Sequence, residues 1–266
     1  MTEPATDPVL YAVEGGVATI TLNRPEAMNS LDTATKEGLR AAVHTATDDA
    51  SVRAVLLSGT GRAFCVGQDL KEHVQLLRDD VEKVWRTVPD HYTPIAYALA
   101  TMPKPVIAAV NGVAAGAGAA FALACDFRVV ADTAGFNLAF AGIALSCDSG
   151  SSWTLPRIVG WARAKELLLR PRTVPADEAL RLGLATEVVA ADEVLGRALT
   201  LARELAAGPT VAYGAIRRSL VHSATHDLTA SLAYEGEMMR LTGTTEDHQA
   251  AVSSFVAKEP PTFGGR

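Results

Sequence analysis

Two short runs of small residues could do chemistry. They are Ala63-Phe64-Cys65-Val66-Gly67-Gln68-Asp69-Leu70 and Asn111-Gly112-Val113-Ala114-Ala115-Gly116-Ala117-Gly118. Each ends a predicted strand and opens a predicted helix, so each can leave backbone N–H groups pointing into a cleft. Two such donors aimed at one point form an oxyanion hole, which stabilises negative charge on a carbonyl oxygen. The plainer reading is that both are packing turns, with glycine present for close approach of backbones.

The elements that must position these turns alternate in type. Residues 17–22 form a β-branched strand, stopped by Asn23-Arg24-Pro25. Asn29-Ser30-Leu31-Asp32 offers caps for a helix over 33–47, with Leu39, Ala42 and Val43 on one side. Residues 52–58 make a second, continuously apolar strand, as expected in a sheet covered on both faces. Further strands are expected at 105–110 and 127–131. This alternation predicts βαβ crossovers and a largely parallel sheet. From residue 162 the pattern is almost all helix: 162–169, 176–182, 191–207, 211–220, 228–241 and 245–258. No linker or low-complexity stretch marks an independent domain.

Composition narrows the function. The chain has 266 residues, 48% hydrophobic and 20% charged, with a net charge of −6. An acidic protein without a basic stripe does not point to nucleic acid as its partner. Cys65, Cys125 and Cys147 are odd in number and lack metal-ligand spacing, so free thiols in a reducing cytosol are expected. The first eight residues are polar and contain two prolines, with no apolar targeting core. The longest apolar run, 106–125, is broken by Asn111, Gly112, Gly116 and Gly118, and reads as strand, loop and helix instead of a membrane span. A cytoplasmic protein is the expectation.

Both turns, in this order and at this spacing, resemble the crotonase (enoyl-CoA hydratase/isomerase) superfamily. The resemblance runs over about residues 9–263. It implies an α/β fold, a crotonase-like spiral of ββα units with a C-terminal helical region. Residues 1–8 would be a flexible N-terminus, 9–200 the core binding acyl-CoA, and 201–266 a helical trimerisation region. A homotrimer or homohexamer is implied, with no metal and no cofactor beyond the coenzyme A of the thioester substrate. By the family pattern, Gln68 follows the glycine of an F-x-x-G-x-D-L loop and gives the first oxyanion donor. Ala117, in the middle of Gly116-Ala117-Gly118, gives the second. Asn23-Arg24-Pro25-Glu26-Ala27-Met28-Asn29 resembles N-R-P-x-A-x-N, whose arginine and alanine, here Arg24 and Ala27, line the CoA site. Val66 would present its carbonyl to the adenine amino group, and Lys71 would face a phosphate. Phe255 and Lys258, in Phe255-Val256-Ala257-Lys258, resemble a segment that reaches the CoA of a neighbouring subunit.

The acid and base residues decide the reaction. A hydratase of this family adds hydroxide and a proton to adjacent carbons with two glutamates. At those positions this chain has Ala120 and Phe140, neither of which transfers a proton. One carboxylate remains nearby, Asp148. Asp148-Ser149-Gly150, followed by Leu155-Pro156-Arg157, resembles the motif of the ring-1,2-epoxyphenylacetyl-CoA isomerase type, whose single catalytic aspartate falls here. One base is enough for an isomerase: it takes a proton, the thioester becomes an enolate, and the same acid returns the proton elsewhere. Asp-Ser-Gly before a helix is also good capping chemistry. Three alternatives stay open: a weak hydratase-like lyase, an aryl-CoA dehalogenase-like hydrolase, and a non-catalytic CoA-binding protein. A dehalogenase would use an aspartate here as nucleophile, with a histidine before the third strand. His91 lies two residues out of register for that role. Gly116-Ala117-Gly118 lacks the third glycine of a dinucleotide loop. Phe140, Trp85, Trp153 and Leu145 are candidates for an apolar acyl pocket, and residues 71–97 for shaping it.

Overall fold

A long strand, a short strand and a helical segment recur three times between residues 54 and 169. The computed structural model describes residues 7–266, so most of the expected flexible segment 1–8 lies outside the described residues. Strands β1 (Val9–Glu14) and β2 (Val17–Leu22) form an antiparallel hairpin with Val9 opposite Leu22. A 3-10 turn at Pro25–Ala27 leads into helix α1 (Thr33–Asp48). The first unit is β3 (Ala54–Gly59), β4 (Ala63–Cys65) and helices α2 (Leu70–Asp79), α3 (Val81–Thr87) and α4 (Thr93–Thr101), with a π turn at Val88–Tyr92 before α4. The second is β5 (Val106–Val110), β6 (Val113–Ala115) and α5 (Ala117–Ala124). The third is β7 (Phe127–Ala131), β8 (Gly135–Asn137), a 3-10 turn at Ala139–Ile143, then α6 (Ser151–Val159) and α7 (Trp161–Leu169). Thereafter come β9 (Val174–Pro175), α8 (Ala176–Leu182), β10 (Glu187–Val189), α9 (Val194–Ala206), α10 (Thr210–Ser223), α11 (Leu228–Gly243) and α12 (Glu246–Ala257).

Two sheets result. The long strands make one in the order β1-β2-β3-β5-β7-β10, and the short ones another in the order β4-β6-β8-β9. Each unit therefore adds one parallel strand to each sheet, and the chain winds as a spiral of ββα units. β5 is buried along its whole length and β3 in all but Gly59, which explains their unbroken apolar sequences. Helix α9 runs unbroken through residues 200 and 201. It lays Val194, Ala198, Ala202 and Ala206, one turn apart, against the large sheet. The caps of α1 follow sequence: Asp32 accepts from the Thr35 amide at 2.8 Å. The expected all-helix second half needs correcting, because β9 and β10 interrupt it; β10 pairs with β7 and completes the large sheet.

Arg217 ties the C-terminal helices to this core. From α10 its guanidinium donates to the Leu99, Met102 and Lys104 carbonyls and pairs with Asp126 at 2.9 Å. These carbonyls end α4 or precede β5 and would otherwise be buried without a donor. Arg217→Ala is expected to cost about 3–5 kcal/mol, the usual penalty for stripping one partner from a buried charged network. Denaturant unfolding measures it; a midpoint within error of wild type contradicts the assignment.

Candidate active site

Strand pairing brings the two small-residue turns together. β4 and β6 lie side by side and parallel, with Ala63 opposite Val113, so the turns leaving their C-terminal ends must be neighbours. The contact is intimate. A Cβ on Gly67, whose φ is +83°, would lie 2.9 Å from the Ala115 carbonyl oxygen and 3.3 Å from the Ala117 nitrogen. A Cβ on Gly118 would lie 2.3 Å from the Cys65 carbonyl oxygen. Only glycine fits at both places.

The backbone then leaves two amides over. Leu31 pairs with the first turn as a parallel bridge: its N–H donates to the Gly67 carbonyl at 2.8 Å and its carbonyl accepts from the Asp69 N–H at 3.2 Å. The pleat directs the N–H of the intervening Gln68 to the opposite side. Ala117 is the first residue of α5, and its N–H is one of the orphan donors of a helix start. Gln68 and Ala117 both line one cavity of about 640 Å³. That volume suits a small-molecule site. The Cys65 thiol under the turn is fully buried, and burial pushes it up to about 12, so it is no nucleophile at neutral pH.

Arg24, Ala27, Val66 and Lys71 line the same cavity. Asn29 fixes this rim: it adopts φ +55°, donates to the Thr60 and Ala63 carbonyls at 2.9 Å each, and accepts from the Arg24 amide at 2.9 Å. Arg24 is engaged inward, with Asp69 at 3.1 Å and Asp32 at 3.2 Å. Lys71 is exposed and has no ion-pair partner among the described residues.

Three carboxylates line the cavity: Glu26, Asp69 and Asp148. Glu26 is exposed at the rim. Burial works against the Asp69 carboxylate, but hydrogen bonds from Ser30, the Glu72 amide and Arg24 outweigh it and hold the group below the usual range. Asp148 differs. Burial raises its pKa above the ordinary aspartate value, and the Ser149 hydroxyl, donating at 2.7 Å, offsets this only in part. Its carboxylate does not cap the helix that follows, whose N-cap is Gly150 without a side-chain bond. The capping reading of Asp148 is therefore set aside. Ser149 at φ +52° and Gly150 at φ +79° make the turn, a strained backbone of the kind that collects at functional sites.

The raised pKa has a consequence for stability. The folded state holds the Asp148 proton more tightly than the unfolded chain does. That contribution is complete below the unfolded pKa and is lost as pH rises through the folded one. At neutral pH the ionised group is thus a burden that asparagine lacks. Asp148→Asn is expected to melt above wild type at pH 7, with the gap closing as pH falls through the folded pKa of Asp148 and the carboxyl takes up its proton. Thermal scans across this range check it; a variant less stable than wild type at pH 7 contradicts it.

Phe140 and Leu145 also line the cavity, and Phe140 is buried on the 3-10 turn. The two tryptophans proposed for the acyl pocket are elsewhere. Trp85 is exposed, edge-on to His73, and Trp153 lines a separate apolar cavity under the Arg157 guanidinium. Ala120 is fully buried within α5. His91 lines a third, polar cavity on the far side of Gln68. Phe255, 85% exposed, and Lys258 lie on α12 and its cap, outside the cavity of their own chain. Among the described residues no cluster of three or more His, Cys, Asp or Glu could hold a metal ion, and no helix is long and apolar enough to cross a membrane.

Two residues at the site carried no signal in sequence. Tyr92, 2% exposed, lines the cavity and donates its hydroxyl proton to the Gln68 side-chain oxygen. Lys36, 1% exposed, reaches the same oxygen at 3.4 Å. A lysine among several polar residues of an amphipathic helix looks like any solvated charge, and Tyr92 belongs to a π turn that periodicity does not reveal.

Comparison with known proteins agrees with this fold. The family model described as enoyl-CoA hydratase/isomerase matches residues 12–266. A relative from Escherichia coli named 1,2-epoxyphenylacetyl-CoA isomerase is 39% identical over 258 residues, 97% of this chain and 98% of its own length. A Rhodobacter capsulatus protein named "Probable enoyl-CoA hydratase" is 41% identical over 258 residues, with the same coverage. The solved structure of a Mycobacterium abscessus protein, assigned by name to the enoyl-CoA hydratase/isomerase family, is 42% identical and superposes with a TM-score of 0.93, covering 97% of this chain and 100% of that one. A match of that length, with relatives so similar across nearly the whole sequence, makes this chain an enzyme of the enoyl-CoA hydratase/isomerase, or crotonase, family.

Proposed function

We propose that this enzyme is an acyl-CoA isomerase, moving a double bond or a ring bond in an unsaturated or aromatic-derived acyl thioester with a single base, Asp148. One observation carries the reading: Asp148 faces the cavity with its carboxyl held above its ordinary pKa by burial, while the hydratase positions are occupied by Ala120 and Phe140. Asp148 takes a proton from the carbon beside the double bond. The C–H electron pair moves into the conjugated system and onto the thioester oxygen, where the Gln68 and Ala117 N–H groups receive the charge. The same carboxyl then returns the proton to a different carbon. A pKa raised by burial brings base and carbon acid closer in strength, which favours both transfers.

The CoA portion would cross the rim formed by Arg24, Ala27, Val66 and Lys71, with Phe140 and Leu145 against the acyl group. Lys71→Ala is expected to raise KM about tenfold at constant kcat, the worth of roughly 1.4 kcal/mol of uniform binding. Steady-state kinetics decide it, and a fall confined to kcat contradicts it. Phe255 and Lys258 would complete the site of a neighbouring subunit in a homotrimer or homohexamer.

The function is tested with a panel of unsaturated and aryl acyl-CoA thioesters in deuterated water. Deuterium entering the α- or γ-carbon without net hydration is the expected result. Net hydration at a normal hydratase rate, unchanged in Asp148→Asn, overturns it.

A further inference from the structure

We infer that Lys36 and Tyr92 are positioning residues for the oxyanion donor at Gln68, clamping its side chain from behind so that its peptide N–H stays aimed into the cleft. The inference rests on the enolate reading above. A carboxamide oxygen accepts two hydrogen bonds, and both places on Gln68 Oε1 are filled: by the Tyr92 hydroxyl, and by Lys36 Nζ at 3.4 Å. The Gln68 amide nitrogen in turn donates to the Asp69 carbonyl at 3.3 Å. Rotation of the peptide between Gly67 and Gln68 would drag the carboxamide away from all three partners.

The clamp is itself anchored. Lys36 Nζ also donates to Thr87 Oγ1 at 3.0 Å and Glu72 Oε1 at 3.2 Å, and Glu72 accepts from the Thr33 amide at 2.8 Å. Tyr92 is held by its ring, which meets Phe121 of α5 edge-on at 6.0 Å. Helix α5 begins at Ala117, so the group that fixes the first donor also packs on the helix that supplies the second. Two elements, α1 and the π turn, converge on one side-chain oxygen, and α2 and α3 hold the lysine that reaches it through Glu72 and Thr87.

Burying a lysine this fully is costly, and an apolar side chain would fill the space more cheaply. Lys36 is ion-paired with Glu72 at 3.2 Å, so what it gives the Gln68 peptide is a fixed position more than a net charge. A purely structural staple between α1 and α2 would need neither Gln68 nor Tyr92.

The test uses the full-length enzyme with cinnamoyl-CoA, a conjugated thioester whose absorbance moves to longer wavelength when its carbonyl is polarised. Wild type and Asp148→Asn are expected to give the same red shift on binding. Lys36→Met and Tyr92→Phe are expected to lose at least half of that shift and about tenfold in kcat, with KM within twofold of wild type, a smaller loss than deleting an oxyanion donor outright. Tyr92→Phe keeps the ring packing and removes one oxygen, so it still reports if Lys36→Met fails to fold. An undiminished red shift in the folded variants overturns the inference while leaving the proposed function standing. No red shift in wild type overturns both.

Discussion

Asp148→Asn is expected to lower turnover of the cognate acyl-CoA by about 10³-fold, within the range that a positioned general base contributes. The substitution keeps shape and the Ser149 contact at 2.7 Å but cannot accept a proton from carbon. Binding should change little, because in the proposed reading main-chain amides and the rim hold the thioester. Initial rates with paired binding titrations separate the two effects. Activity within tenfold of wild type removes Asp148 from the reaction. The variant's expected higher melting point at pH 7 makes unfolding a poor excuse for inactivity, since its buried charge is gone.

The second large effect belongs to Gly67→Ala. The backbone there has φ +83°, and the new methyl would stand 2.9 Å from the Ala115 carbonyl and 3.3 Å from the Ala117 nitrogen. Strain of about 1–2 kcal/mol comes from the left-handed conformation alone. Relief requires the two turns to part, which separates the two proposed donors. A loss of about 10²–10³ in kcat is expected, the cost of one misplaced oxyanion donor. The fall should appear in kcat with KM little changed, because the donors act on charge that exists only in the transition state. A folded variant with wild-type kcat shows that the paired turns are packing features and nothing more.

The sequence was most legible where one physical requirement dominates. Strands β3 and β5 are covered on both faces, so apolar runs disclosed them. The paired turns were readable because close backbone approach admits only glycine at Gly67 and Gly118. Asp148 stood out by the absence of other proton-transfer groups around it. Less could be read where elements are short or half-exposed. The small sheet is built of strands of two or three residues, too brief for a period to register. Strand β1 is an edge whose residues stay exposed or half-buried, and its alternation competes with turn residues at Gly15 and Gly16. Trp85 and Trp153 were candidates for the acyl pocket on size alone; the winding of α3 and α6 carries them elsewhere. Lys36 and Tyr92 reach Gln68 only through tertiary contacts across 32 and 24 residues, and local sequence holds no trace of that.

The most direct test of the enolate account is a crystal structure of Asp148→Asn with an unsaturated acyl-CoA trapped in the cleft. The account predicts the thioester oxygen about 2.7–3.1 Å from both the Gln68 and Ala117 nitrogens. It also places the side chain at position 148 within about 3.5 Å of a carbon that exchanges its proton. A thioester oxygen bound elsewhere, or a side chain at 148 turned away from the acyl group, would contradict it.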